Sequence, residues 1–310
     1  MPEIRIAEFT DPGCPWAWSA EPFRRRIDWL YGDQIEWRVH MVGLSESPDD
    51  YLDRGFTPER MARAFADIAR EHHMPIATHE RPRMAATLPA CRAVVAAREY
   101  AGEAPARALL RRLRVHHFSG DLLDDPETIE SAAREAGIDA EKLHGWLADP
   151  DVEARLRVDM AAARDPLPAA IALEHKLASW EGGLRYTCPS YEIVRVSDGV
   201  RLAVPGFQPF AVYEVVLANL LPAAARRGAP ASVEEVLAWA EEPLATQEVA
   251  VVCDIPLSRA REELGRVAVE THVGFDGLWS LPRYSRLSIA PSSERASDAT
   301  ASAAASSADA

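Results

Sequence analysis

The chain has 310 residues, 48% of them hydrophobic and 26% charged, the composition of a soluble globular protein with a sizeable core. Acids outnumber bases 48 to 34, a formal net charge of −14 that argues against a phosphate backbone as main partner. The longest charge-free apolar stretch, residues 202–213, has 12 residues and two prolines, whereas a membrane-spanning helix needs about 20, so no transmembrane segment is expected.

In chain order, Ile4, Ile6 and Phe9 alternate as in a strand, and no basic-then-apolar leader precedes them, so a cytoplasmic chain is expected. A helix is predicted from about Trp16 to Tyr31, stopped by Gly32, followed by a second strand over 35–44. Residues 58–181 read as helix throughout: Met61, Phe65 and Ile68 recur at helical spacing, as do Leu110, Leu113 and His117. Asp125 and Asp139 fit as N-terminal caps of two more helices. After Gly182-Gly183 the pattern returns to strands, with a hairpin over 190–204 turning at Ser197-Asp198-Gly199, and then a helix over 209–221. From about 230, three short helices and a closing hairpin suggest a winged helix, and residues 284–310 are expected to be disordered. The expected organisation is therefore an α/β domain from residues 1–57 and 182–222, a helical insertion at 58–181 and a small C-terminal unit at 230–283.

Cysteines at 14, 91, 188 and 253 are too few and too scattered for a disulfide framework or a zinc knuckle. Cys14 stands out. The run Thr10-Asp-Pro-Gly-Cys14-Pro15-Trp16-Ala17-Trp18 brings a strand through a tight turn to a thiol at a helix start. Unpaired backbone N–H groups there stabilise a thiolate and make it nucleophilic. Pro15 suits the first helical position, where its missing N–H has no partner to lose. The competing reading is a buried structural cysteine beside a turn.

These residues resemble the active site of the DsbA-like branch of the thioredoxin superfamily, in which a strand runs into Asp-Pro-x-Cys-Pro-Trp and a helix. Pro22 falls where relatives carry a helix-kinking proline. Residues 86–92 and 120–139 follow the family's insertion. Tyr186-Thr187-Cys188-Pro189-Ser190-Tyr191, a hairpin and Val204-Pro205-Gly206-Phe207-Gln208-Pro209 follow its closing strands. The resemblance implies a thioredoxin fold with a large all-helical insertion, and Pro189 as a cis-proline facing Cys14. It implies no metal and no nucleotide cofactor. Three departures bear on mechanism: Ala17 replaces the second cysteine of Cys-x-x-Cys, and positions 188 and 91, Val or Thr and His in relatives, are both Cys. A Cys-x-x-Ala motif forms a mixed disulfide but cannot resolve it from within. By the implied fold Cys188 faces Cys14, either as a displaced resolving thiol or as a small buried hydrophobe; Cys91 and Cys253 read as packing residues.

The resemblance thus points to a cytoplasmic thiol–disulfide oxidoreductase with catalytic Cys14 and Cys188, and with Pro15, Trp16 and Pro189 meeting a protein or low-molecular-weight thiol. Trp16 and Trp18 form either an apolar lip or core. The segment Cys14, Pro15, Trp18, Glu21, Pro22 followed by Tyr31-Gly32 also resembles DsbA-like adaptors that hand clients to the ClpXP protease, which implies a protein-binding alternative. His72-His73, His79 and His116-His117 lack the spacing of a metal site and read as solvated or half-buried. Arg81, Arg83, Arg111, Arg112 and Arg114 read as solvated helix faces. Over 231–283 ten acids face four bases, the wrong sign for duplex DNA, so that unit reads as a protein-contact module or a packing partner.

Overall fold

The computed structural model describes residues 2–282; the tail at 284–310 lies outside them. The N-terminal half runs β1 (Ile4–Thr10), α1 (Pro15–Ser19), α2 (Glu21–Tyr31), β2 (Ile35–Met41), α3 (Asp49–Asp53), α4 (Pro58–His72), α5 (Leu88–Ala101), α6 (Glu103–Ser119) and α7 (Pro126–Glu135). It continues with α8 (Ala140–Leu147), α9 (Pro150–Ala163), α10 (Pro168–Ile171), β3 (Leu177–Trp180), β4 (Gly183–Tyr186), β5 (Ser190–Arg195), β6 (Arg201–Val204) and α11 (Phe210–Leu220). The C-terminal unit is α12 (Val233–Ala240), β7 (Leu244–Ala245), α13 (Thr246–Cys253), α14 (Leu257–Val267), β8 (Val269–Val273) and β9 (Asp276–Ser280).

The main sheet has the order β2-β1-β5-β6, with β1 and β2 parallel and the other pairs antiparallel. This is the mixed sheet of a thioredoxin fold. Ile4 and Ile6 of β1 pack with Ile35 and Trp37 of β2 against Ile27 and Tyr31 of α2 and Leu217 of α11. Further along the same face of β2, Val39 and Met41 join the core of the insertion, built on α5, α6 and α9. The sheet is therefore covered by its own helices at one end and by the insertion at the other.

Two helical expectations change. The helix expected over 16–31 is two helices broken at Ala20, with Pro22 in the first turn of the second, where a proline costs no hydrogen bond. The helical reading up to 181 ends early. Residues 177–186 form the antiparallel β3–β4 hairpin, whose four-residue strands are too short to print a period-2 pattern. Residues 74–87 are also non-helical, after His73 closes α4 in a left-handed conformation.

The C-terminal unit has the element order of a winged helix, with a β7-β9-β8 sheet. It is docked. Trp29 of α2 sits in the unit's core with Val236, Leu244 and Trp279. The β8–β9 turn lies on the chain just after α4, where a Cβ at Gly274 (φ +63°) would run into the Ile76 carbonyl. Arg70 of α4 stacks over Phe275 of that turn at 4.7 Å.

The arginines of α6 are not a solvated face. Residues 4, 6, 8 and 10 share one face of β1, so Glu8 follows Ile4 and Ile6 into the interior. A buried carboxylate needs a cation. Arg114, 1% exposed, reaches Glu8 at 3.2 Å and also Glu21 and Thr10. Arg111, 2% exposed, bonds Glu248 of the C-terminal unit at 2.7 Å. Arg112 lies 3.6 Å from Glu242 of the same unit, and Arg81 is half-buried; of the five, only Arg83 is well exposed. His116 and His117 are buried as well, because α6 is enclosed along most of its length.

Candidate active site at Cys14

Cys14 caps α1 with extended backbone, and Pro15 opens the helix. The turn that delivers it is held by Asp11, whose fully buried carboxylate accepts from Gly13 N (2.8 Å), Leu44 N (2.9 Å), the Thr87 hydroxyl (2.9 Å) and the Cys91 thiol (3.4 Å). One side chain thus ties the Cys14 turn to the end of β2 and to the start of α5. A Cβ at Gly13 would stand 2.7 Å from Thr87 Cγ2, so only glycine allows this approach. Burial pushes the Asp11 carboxyl above its ordinary range, and these hydrogen bonds oppose it.

Across from Cys14 lies the segment before β5, where the Cys188–Pro189 peptide bond is cis. Cys14 Sγ is 3.2 Å from the Cys188 carbonyl oxygen, to which the neutral thiol donates. The Cys188 thiol pulls the Cys14 pKa down most strongly, helped by the N–H groups of Ala17 and Trp16, while burial and the Asp11 charge push it up; the balance is downward. Burial drives Cys188 well above an ordinary thiol, and its contact with Cys14 adds to that. Cys14 is therefore the more acidic of the two thiols. Cys14 and Cys188 share one apolar cluster with Phe9, Ala17, Val42 and Tyr186, and each of the two cysteines is 6% exposed. All four cysteines are free.

The two tryptophans separate. Trp16 is 39% exposed and makes an aromatic rim beside Cys14, with His72 at 5.1 Å and Phe207 at 5.7 Å. Trp18 is core: its indole donates to the Pro75 carbonyl (2.9 Å), stacks on Phe118 and lies 4.5 Å from the Arg111 guanidinium. Cys91 is fully buried behind Asp11, and burial and the Asp11 charge raise its pKa well above the ordinary value. Cys253 is only partly covered, on the outside of the C-terminal core. His116 meets Asp121 (2.8 Å) and Glu135 (3.2 Å), carboxylates that the chain's spacing did not reveal, in an ion-paired cluster. Among the described residues no group of three or more His, Cys, Asp or Glu is arranged to hold a metal. Sequence reasoning missed Asp11, His72 and Phe207 as parts of the site. For Asp11 a signal existed, an aspartate inside the Asp-Pro-Gly-Cys turn; for His72 none did.

A cysteine at a helix start, opposite a cis X–Pro segment on a β2-β1-β5-β6 sheet, defines a protein of the thioredoxin-like class. The DSBA-like thioredoxin domain matches residues 5–166, over half of the chain, and the chain belongs to that family. Its structure is similar to that of a candidate protein disulfide isomerase from Nitrosomonas europaea (TM-score 0.55, 15% identity, covering 71% of this chain and 98% of that one). It is also similar to the cytosolic disulfide reductase DsbM from Pseudomonas aeruginosa (TM-score 0.50, 19% identity, 69% of this chain and 99% of that one). In sequence it is 25% identical over 280 residues to the ClpXP adapter protein SpxH of Halalkalibacterium halodurans, covering 86% of this chain and 83% of the relative. No helix among the described residues is long and apolar enough to cross a membrane.

Proposed function

We propose that the protein is a cytoplasmic thiol–disulfide oxidoreductase in which Cys14 attacks and Cys188 resolves. The observation that carries this is the placement of Cys14 at the start of α1 in one apolar cluster with Cys188, its Sγ 3.2 Å from the Cys188 carbonyl oxygen, with the Cys14 pKa lowered and that of Cys188 raised. The Cys14 thiolate attacks a client disulfide. A new S–S bond forms to Cys14, the client bond breaks, and the second client sulfur leaves as a thiolate that takes up a proton. Cys188, losing its proton to that thiolate or to water, then attacks Cys14 Sγ and releases the first client sulfur. The client disulfide has gained two electrons, and the protein holds a Cys14–Cys188 disulfide for a low-molecular-weight thiol to reduce. Pro15 and Pro189 flank the attack path, and the Trp16 rim meets the client.

A second reading is favoured by one observation. The oxidoreductase structures cover about 70% of the chain and nearly all of themselves, whereas the ClpXP adapters cover 86% and 87% of it, which requires much of the C-terminal unit to be included. On that reading the Cys14 face and the C-terminal unit hold a protein client for a ClpXP-type protease.

Trapping decides between them. A Cys188→Ala protein expressed in cells is expected to accumulate discrete clients linked by a disulfide to Cys14. Recovery of one partner plus protease subunits by Cys14→Ser protein, with no disulfide-linked species on Cys188→Ala, would establish the adaptor instead. Oxidised wild type is expected to show a Cys14–Cys188 disulfide by mass spectrometry; a free Cys188 there removes the resolving role.

A further inference from the structure

A recess opens beside the Cys14 turn. Its walls include Gly13 from that turn, Tyr51, Met61 and Phe65 from α3 and α4, and Arg81 and His117. The recess encloses about 450 Å³ with its mouth. Its inner free volume is about 30 Å³, room for two or three water-sized atoms.

Arg81 makes this more than a packing defect. Its guanidinium lies 5.1 Å over the Phe65 ring, 3.1 Å from the His117 ring nitrogens, and donates to the His117 carbonyl. Among the described residues no carboxylate is in ion-pair contact with it; the nearest acidic influence, Asp121, is engaged with His116 at 2.8 Å. Burial brings the Arg81 pKa down to about 10, which still leaves it a cation at neutral pH. Burial and the Arg81 charge hold His117 well below its ordinary value, so its ring is neutral and does not compete for an anion. Desolvating a cation without a counter-charge is costly, and an anion entering the recess would offset that cost.

We propose that this recess binds a small carboxylic acid as its anion, the carboxylate on Arg81 and a short apolar body against Met61, Phe65 and Met84. The lining selects the ligand. The inner end takes the carboxylate head alone, and the apolar body lies along Met61, Phe65 and Met84 toward the mouth. One half-buried guanidinium matches a single negative charge, and the remaining wall (Met61, Ala62, Phe65, Met84) is apolar. The site is built from α3, α4 and the 79–87 segment, and does not depend on whether Cys14 exchanges disulfides or only holds a client.

The test is the melting temperature of the full chain titrated with sodium butyrate, sodium formate, butylammonium chloride and sodium chloride at equal ionic strength. Butyrate is expected to give a saturable rise of a few degrees at about a hundredfold excess over its Kd. Formate, the head group alone, should act more weakly, and butylammonium should match chloride. Arg81→Met and Ala62→Phe, the first removing the charge and the second filling the cavity, should each abolish the butyrate shift. Butyrate equal to chloride on the wild type overturns the proposal, as does a full butyrate shift in Arg81→Met. If Arg81→Met does not fold, Ala62→Phe decides, since a butyrate shift surviving there places the binding elsewhere.

Discussion

Two side chains act on the Cys14 sulfur in opposite senses, and this makes its acidity testable one residue at a time. The Cys188 thiol favours the thiolate and the Asp11 charge disfavours it. Alkylation of Cys14 is therefore expected to reach half its maximal rate below the pH of a free thiol, about 8.5. Cys188→Ala should move that midpoint up, and Asp11→Asn should move it down, with the pH–rate profile of each single-site variant as the measurement. A midpoint unmoved by Cys188→Ala would mean that the helix start alone sets the acidity. The sign for stability follows. Because the folded pKa lies below the unfolded one, ionised Cys14 stabilises the protein above the unfolded thiol's pKa, and that contribution is lost as pH falls through the folded value. Cys14, Pro15 and Pro189 were legible in the sequence because each lies in a short local motif. Asp11 was visible in the same motif but its anchoring role was not, because its partners Thr87 and Cys91 lie 76 and 80 residues away and are placed by the insertion.

Elements were readable where their periodicity was long and their ends were marked. Pro15, Asp125 and Asp139 open helices as their side chains suggest, and the last two cap backbone N–H groups. The β3–β4 hairpin and the two-residue β7 were missed because so few residues carry no period. Helix α6 shows a different limit. Its apolar stripe was visible, yet the burial of its arginines and histidines was not, since polar residues enter a core only where another element brings the opposite charge. His116 is such a case. Burial works against its charged form, but Asp121 and Glu135 more than compensate and lift its pKa to about 9. A histidine raised in this way stabilises the fold fully below its unfolded pKa, near 6.5, and the contribution is lost as pH rises through about 9. The shift corresponds to about 3 kcal/mol. Urea unfolding of the wild type should therefore show stability declining between those pH values, and His116→Gln should be less stable at pH 6 and flat across that window. A wild-type profile without that slope would remove the charged cluster joining α6 to α7.

At the scale of the whole molecule, composition showed an acidic C-terminal unit without showing what the acid is for. Read from sequence, ten acids over 231–283 weighed against DNA; in the structure two of them are the docking charges. Glu248, fully buried, takes Arg111 at 2.7 Å, Arg25 at 3.4 Å and the Ala245 N–H at 2.7 Å, while Glu242 pairs with Arg25 and faces Arg111 and Arg112. The same arginines continue through Glu21 to Arg114 and Glu8 beneath β1, so one buried ionic chain joins the C-terminal unit to the strand that leads to Cys14. Removing one member of a buried pair leaves its partner uncompensated and costs roughly 3–5 kcal/mol. Exposed pairs, by contrast, contribute about 0–1 kcal/mol and are screened by salt. The two kinds of docking separate cleanly. If the buried network holds the unit in place, 1 M sodium chloride leaves the wild type's proteolysis pattern unchanged, whereas Glu248→Gln opens the exposed 222–231 connection to cleavage and splits the urea transition in two. If surface charge were the cause, salt would release the unit in the wild type and Glu248→Gln would melt as one body.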